Sequence, residues 1–466
     1  MLIVQNYIQS AKVLKKNEKK EGKSKIIRYF CIVKRFNVFF RAFLVVLLIN
    51  LTTNLFAQDF QGDNSSESSA EALNASPYEP AWLDSVEISL LTCGPGQEVW
   101  SYYGHTAIRI EDKSHGTDLA VNWGMFSFRQ DYFILRFVFG LTDYQIGIFP
   151  MSQFIAEYQN EGRWVKQQRL ALTRSEKFQI LLAIEKNNMD EYRTYRYNFF
   201  YDNCTTRARN MIVSHLGEHD TDFKNVDAQS TYRQEIHRRN ENHRWARFGN
   251  DLLLGFMADQ PICKEEWEFL PENLMKDFDT EARKDTAIQK HSAIEIYPQK
   301  TRYIKLIDST FYVIQPQAEV SKDEVITPRM VFIALGIVII FLCGIEWSKK
   351  KNFWWLDTSL LILTGLPGLI LLAMIFSQHP TVQVNFQILL LNPLNLIFVW
   401  KLTKKARKGK CYWYYHVWAS LIILALLLQI WQDYAEGMVI LALSLLIRYA
   451  MRLTIYNLKL LEKKQK

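Results

Sequence analysis

The sequence predicts a mixed α+β domain held outside the cytoplasm, followed by an all-α bundle of five transmembrane helices. Three observations predict it. A basic and then apolar N-terminal stretch has the form of a secretory leader. Residues 81–320 mix short alternating runs with helical patterns and turn clusters. From residue 327 to 457, five apolar runs alternate with short polar or basic connections.

The leader occupies residues 1–57. Lys34-Arg35 precedes an apolar stretch from Phe36 to Phe56, and the small residue Ala57 marks an expected cleavage point. An uncleaved anchor helix is the alternative. Residues 58–80, rich in Ser, Asn, Glu and Ala, read as a disordered linker.

In the 81–320 domain, Val86–Thr92 reads as a strand that Gly94-Pro95-Gly96 breaks, and Gln97–Tyr103 as a short helix. His105–Ile110 alternates as a strand, with a turn at Asp112–Gly116 and a returning strand at Leu119–Trp123. Leu172–Asn188 reads as a helix opened by the capping pair Thr173 and Glu176. Tyr195–Tyr201 is strand-like, and Asp202 or Asn203 caps a helix over Thr205–Leu216.

The five spans fall at Thr327–Trp347, Trp354–Phe376, Val384–Trp400, Trp413–Trp431 and Gly437–Leu453, within a 327–457 membrane domain. Each approaches the roughly 20 residues that cross the hydrocarbon. Lys and Arg number 56 against 48 Asp and Glu. The basic residues gather at Lys12–Arg35, Lys349–Lys351, Lys401–Lys410 and in a 458–466 tail. The connections Ser377–Gln383 and Gln432–Glu436 carry none. This asymmetry predicts a bacterial inner-membrane protein with a cytoplasmic C-terminus and a periplasmic α+β domain. Basic clusters at span ends suit lipid headgroups, and no nucleic-acid partner is expected.

Of six cysteines, Cys93, Cys204 and Cys263 fall in the α+β domain. Three is odd, so at least one thiol is left over. The spacing is not that of a zinc site, and no metal or cofactor is expected. Cys204 falls in the first turn of the predicted helix, where the helix dipole favours a thiolate and free N–H groups favour an oxyanion. Arg207 and Arg209 add positive charge. His105, on a strand, suits the role of base. A hairpin around Asp112–His115 sets His105 opposite Asn122 and Arg109 opposite Asp118. Asn122 is the expected ring-orienting residue and Asp118 the reserve. Cys93, at another strand-to-helix turn, is a rival nucleophile. A Cys93–Cys263 disulfide is a further reading.

His, a polar residue on the next strand, and Asn-Cys at a helix start, in that order, resemble the circularly permuted papain-like hydrolases of the lecithin–retinol acyltransferase type. Leu91-Thr92-Cys93-Gly94-Pro95-Gly96, Gly104-His105-Thr106-Ala107-Ile108-Arg109, Gly162-Arg163 and Tyr197 through Arg207 resemble the Lnb family of lipoprotein N-acyltransferases. The likeness covers nearly the whole mature chain; the long basic N-terminus and Cys263 depart from it. It implies Cys204, His105 and Asn122 as catalytic residues of a cysteine-dependent acyl transfer. A membrane phospholipid would be the donor and diacylated lipoproteins the acceptors. Tyr103, Arg163, Arg207, Arg209 and His379 are the expected substrate contacts, with ion pairs an equal reading for the arginines. The aromatic residues Phe126, Phe128, Tyr132, Phe133 and Phe137 offer an acyl groove or core packing. Rival readings are a membrane-anchored peptidase or amidase and a non-enzymatic envelope sensor.

Overall fold

The alternating runs of the first half pair into one sheet. The computed structural model describes residues 80–126, 131–217, 227–280, 282–284, 303–317 and 324–464. The leader and almost all of the linker lie outside the described residues. The sheet comprises β1 (Val86–Cys93), β2 (His105–Asp112), β3 (Thr117–Met125), β4 (Asp143–Pro150), β5 (Val165–Leu170), β6 (Thr194–Arg196) and β7 (Ile307–Ile314). Their order is β7-β5-β1-β2-β3-β4-β6, and every neighbouring pair is antiparallel.

Both faces of the sheet centre are covered. On one face, Val86, Ile88, Leu90, Ile108 and Val121 meet Ile180 and Ile184 of α3 (Arg174–Asn188), and Ala208 and Ile212 of α4 (Cys204–Val213). On the other, Leu91, Cys93, Ala107 and Ala120 meet Met151, Phe154 and Tyr158 of α2 (Met151–Asn160). Strand β1 is buried along almost its whole length, as a strand covered on both faces must be. A short helix, α1 (Phe133–Val138), lies between β3 and β4.

The hairpin register corrects one expectation. Asn122 pairs with Ala107 and Asp118 with Glu111, not with His105 and Arg109. The Asp112 carboxylate accepts the Ser114 N–H at 2.9 Å, so Asp112 ends the strand and the hairpin closes at Asp112–Thr117. Every pair therefore moves by two residues, which keeps each side chain on its expected face. Two elements are shorter than expected. Gln97–Tyr103 yields only a 3-10 turn at Val99–Ser101. The strand at Tyr195 stops at Arg196, because the Asn198 side chain accepts the Phe200 and Tyr201 N–H groups and turns the chain. The Thr173–Glu176 capping box forms as expected.

The second half is helical. Four stretches are long and apolar enough to cross a membrane: α5 (Pro328–Ser348), α6 (Trp354–Met374), Pro380–Arg407, and the first 21 residues of the last helix, Met438–Leu458. The fourth expected span, Trp413–Trp431, yields an apolar helix of only 16 residues, Trp413–Leu428. The Pro380–Arg407 span is also broken: a turn at Pro380–Gln383 and a 3-10 segment at Phe386–Leu389 precede the regular helix Leu394–Arg407. Pro393 and the side chains of Asn385 and Asn392, which accept the Gln387 and Leu394 N–H groups, interrupt the helical ladder there.

This broken segment joins the two halves. Gly255 N–H donates to the Thr381 carbonyl at 2.8 Å and Phe256 N–H to that of Val384 at 2.7 Å. Only glycine permits this approach, since a Cβ at position 255 would lie 2.1 Å from the Val384 oxygen. The amides of Asn385, Gln387 and Gln432 donate to the carbonyls of Leu252, Asp251 and Leu254. Arg244 and Arg329 both reach the Glu436 carboxylate. The sheet domain is thus hydrogen-bonded to the outer ends of the helices.

Candidate active site

Helix α4 begins at Cys204 because Asn203 caps it. The Asn203 Oδ1 accepts the N–H groups of Thr205 at 2.8 Å and Thr206 at 2.9 Å, and the Thr206 hydroxyl accepts the Asn203 N–H. The Asn203 amide in turn donates to the carbonyls of Phe199 and Phe269, each at 3.0 Å. The N–H groups of the second and third residues of the helix are thus occupied by Asn203.

His105 opens β2. Gly104 precedes it at φ 82°, and a Cβ there would lie 2.6 Å from the Cys93 carbonyl, so glycine is needed to set the strand's start. The imidazole meets two partners. Its Nε2 lies 3.0 Å from Asn122 Oδ1, and it interacts with the half-buried Cys204 thiol. With Oδ1 as acceptor, Nε2 donates and Nδ1 is the nitrogen left for the thiol. The Thr106 and Thr205 hydroxyls, 3.1 Å apart, tie β2 to α4 beside the pair.

The electrostatics follow. Burial by itself pushes the Cys204 thiol up. The His105 charge and hydrogen bond, the Thr106 N–H and the Thr205 hydroxyl outweigh that and bring it down to about 7. Burial pushes His105 down, but the neighbouring thiolate and the Asn122 contact carry it above the usual imidazole value. Each partner favours the other's charged form. Cys93 is the opposite case: it is almost fully buried in the α2 face of the core, and burial pushes its thiol up to about 12. The five described cysteines, Cys93, Cys204, Cys263, Cys343 and Cys411, are all free thiols, so Cys93 and Cys263 are not joined.

The expected substrate contacts are distributed differently. Arg207 forms a two-pronged ion pair with Asp202 and stacks on Tyr195. Arg209 pairs with Glu265 and Glu268. The Tyr103 hydroxyl accepts from Asn240 and Asn250. Arg163 is buried, donates to the Gly94 carbonyl at 2.8 Å and pairs with Glu161, which braces the Gly94-Pro95-Gly96 loop. Asp118 binds Arg109 through both oxygens at 2.8 Å and is therefore engaged away from His105. His379 is buried at the junction between Phe137 and Phe199. Among the described residues no cluster of three His, Cys, Asp or Glu side chains is placed to hold a metal ion. Thr106 and Thr205 were not singled out from the sequence, although each adjoins one of the two candidate residues.

Sheet, helices and site define a membrane protein whose α/β domain carries a Cys–His–Asn constellation beside the outer ends of its spans. Residues 77–237 match the model of the Lnb N-terminal periplasmic domain, and residues 320–459 match the Lnb transmembrane domain. Together these cover well over half of the chain, which belongs to the Lnb family. Membership suggests a lipoprotein N-acyltransferase-like protein of the inner membrane, with its α/β domain in the periplasm. No curated protein and no solved structure matched the chain.

Proposed function

We propose that the protein is a cysteine-dependent lipoprotein N-acyltransferase working by two successive acyl transfers. The observation that carries this reading is the meeting of Cys204, His105 and Asn122 in a chain of the Lnb family. Their order along the chain, a histidine strand before a cysteine helix, also fits a permuted papain-like arrangement. In the first transfer, His105 Nδ1 takes the thiol proton and the Cys204 thiolate attacks an ester carbonyl of a phospholipid. The carbon–oxygen bond to glycerol breaks, His105 returns its proton to the glycerol oxygen, and a lysophospholipid leaves. In the second, the α-amine of a diacylglyceryl-cysteine attacks the thioester carbon. His105 takes the amine proton, the carbon–sulfur bond breaks, and an amide forms. Asn122 holds the ring and supports the imidazolium. The Cys204 N–H is the candidate oxyanion donor. The basic clusters support a cytoplasmic C-terminus.

Mass spectrometry of lipoprotein N-termini tests the proposal. Cells carrying Cys204→Ala as their sole copy should accumulate lipoproteins with a free α-amine. Unchanged N-acylation in those cells would overturn it, and release of free fatty acid without N-acylation would mean that water is the acceptor.

A further inference from the structure

Helix α1 exposes apolar side chains next to the membrane half. Tyr132, Leu135 and Phe137 are 79, 56 and 39 % exposed. The chain after this helix is fastened to the outer end of α6, where the Gln378 N–H donates to the Phe139 carbonyl at 2.9 Å. Phe376, 72 % exposed, lies just before that bond. Exposed apolar side chains of α1 thus lie close to the outer end of α6.

From α1 a row of rings leads inward. Phe137, Phe133, Phe126, Tyr144 and Tyr197 follow one another with centroids 6.4, 5.8, 4.8 and 4.1 Å apart. Phe126, Tyr197 and Cys204 rest on the same core cluster, of which Tyr144 is a member. At the outer end stands His379, 2 % exposed, with its ring 6.4 Å from Phe137 and 4.7 Å from Phe199. Among the described residues neither of its nitrogens has a hydrogen-bond partner. A buried imidazole left this way is unfavourable unless a ligand completes it. Burial holds His379 down at about 4, so it is neutral and suits an uncharged oxygen such as an ester or glycerol oxygen. The Phe199 carbonyl is held by Asn203, so this mouth is built onto the cap of the thiol helix.

We infer that an outer-leaflet phospholipid enters at His379, which hydrogen-bonds a neutral oxygen of its glycerol ester region, and lays one acyl chain along the ring row toward Cys204. This rests on the proposed acyl-carrier role of Cys204. Rings serving only to fill a core would be covered at both ends, whereas this row ends at the exposed Phe137, beside the end of a membrane-crossing helix.

Two arms test it on the full chain in vesicles of phosphatidylethanolamine and phosphatidylglycerol. In the first, Cys204→Ala protein is irradiated with a phosphatidylethanolamine carrying a diazirine on one acyl chain. Adducts on Tyr144 or Tyr197, which bulk lipid does not reach, are expected, and His379→Leu should deplete them. Adducts confined to the membrane-facing helices overturn the inference. In the second, single-turnover acylation of Cys204 from vesicle lipid is followed in His379→Leu and in Leu135→Glu/Phe137→Glu. Both should fall about tenfold or more, the loss of one hydrogen bond or of an apolar contact surface. Alkylation of Cys204 by iodoacetamide reports folding. Undiminished acylation in variants that alkylate like the parent overturns the entry route but leaves the carrier role standing. No acylation in the parent overturns the carrier role itself. Should a variant fail to alkylate, the crosslinking arm in the Cys204→Ala protein decides.

Discussion

His105 Nε2 lies 3.0 Å from Asn122 Oδ1, although the backbone partner of Asn122 is Ala107. The contact is diagonal across the hairpin. It fixes which imidazole nitrogen faces the thiol. Asn122→Ala should slow Cys204 acylation about tenfold, roughly the loss of one oriented hydrogen bond. Asn122→Asp keeps the acceptor and should retain more activity than the alanine variant. Stopped reactions with vesicle lipid measure both.

The thiol's position on the pH scale gives a second prediction. Cys204 is brought down to about 7, so its alkylation rate should rise through a midpoint near pH 7. Below that pH the thiol is protonated and both alkylation and acyl transfer should fade. His105→Ala removes the strongest lowering influence and leaves burial, which raises the thiol. Its midpoint should therefore move up, past the ordinary thiol range. An unmoved midpoint would separate the thiol's acidity from His105.

Cys93 should not matter for transfer. Its thiol is buried and pushed up to about 12. Cys93→Ala should leave acylation of Cys204 in place and lower stability by about 1 kcal/mol, a typical core truncation. Acyl analysis and thermal unfolding of the same preparation check both halves.

The membrane half contains a buried ionic cluster. Arg448 pairs with Glu346 and Asp357, Arg452 reaches both carboxylates, and the Tyr415 hydroxyl donates to Asp357 at 2.9 Å. Two cations balance two anions, and the cluster ties four helices. Arg448→Leu leaves the two carboxylates to share Arg452 and should destabilise by about 3–5 kcal/mol, as broken buried pairs do. Arg448→Met combined with Asp357→Asn should recover part of that. Unfolding in detergent micelles is the measurement.

The two-part layout was legible because apolar run length and charge placement act locally along the chain. The Asn203 cap was legible for the same reason: a polar residue before a helix satisfies its own neighbours. The hairpin register was off by two because Asp112 serves the turn through its side chain, a choice that apolar alternation does not record. The third span read as an unbroken helix from its apolar residues. Its break follows from Pro393 and the Asn385 and Asn392 side chains, local signals that the apolar run masks, and is anchored by Asn385 and Gln387 bonding the distant carbonyls of Leu252 and Asp251, which no local pattern encodes. Arg209 reads as a substrate contact because its acidic partners, Glu265 and Glu268, lie far along the chain, whereas the partner of Arg207 is the nearby Asp202.

The central claim is that Cys204 carries the acyl group. The direct measurement is peptide mass spectrometry of the full-length protein after incubation with phospholipid vesicles lacking acceptor. An acyl group on the Cys204 peptide, released by neutral hydroxylamine and matched by an equal amount of lysophospholipid, is the predicted result. An unmodified Cys204 in protein that transfers acyl chains once a diacylated lipopeptide is added would contradict it.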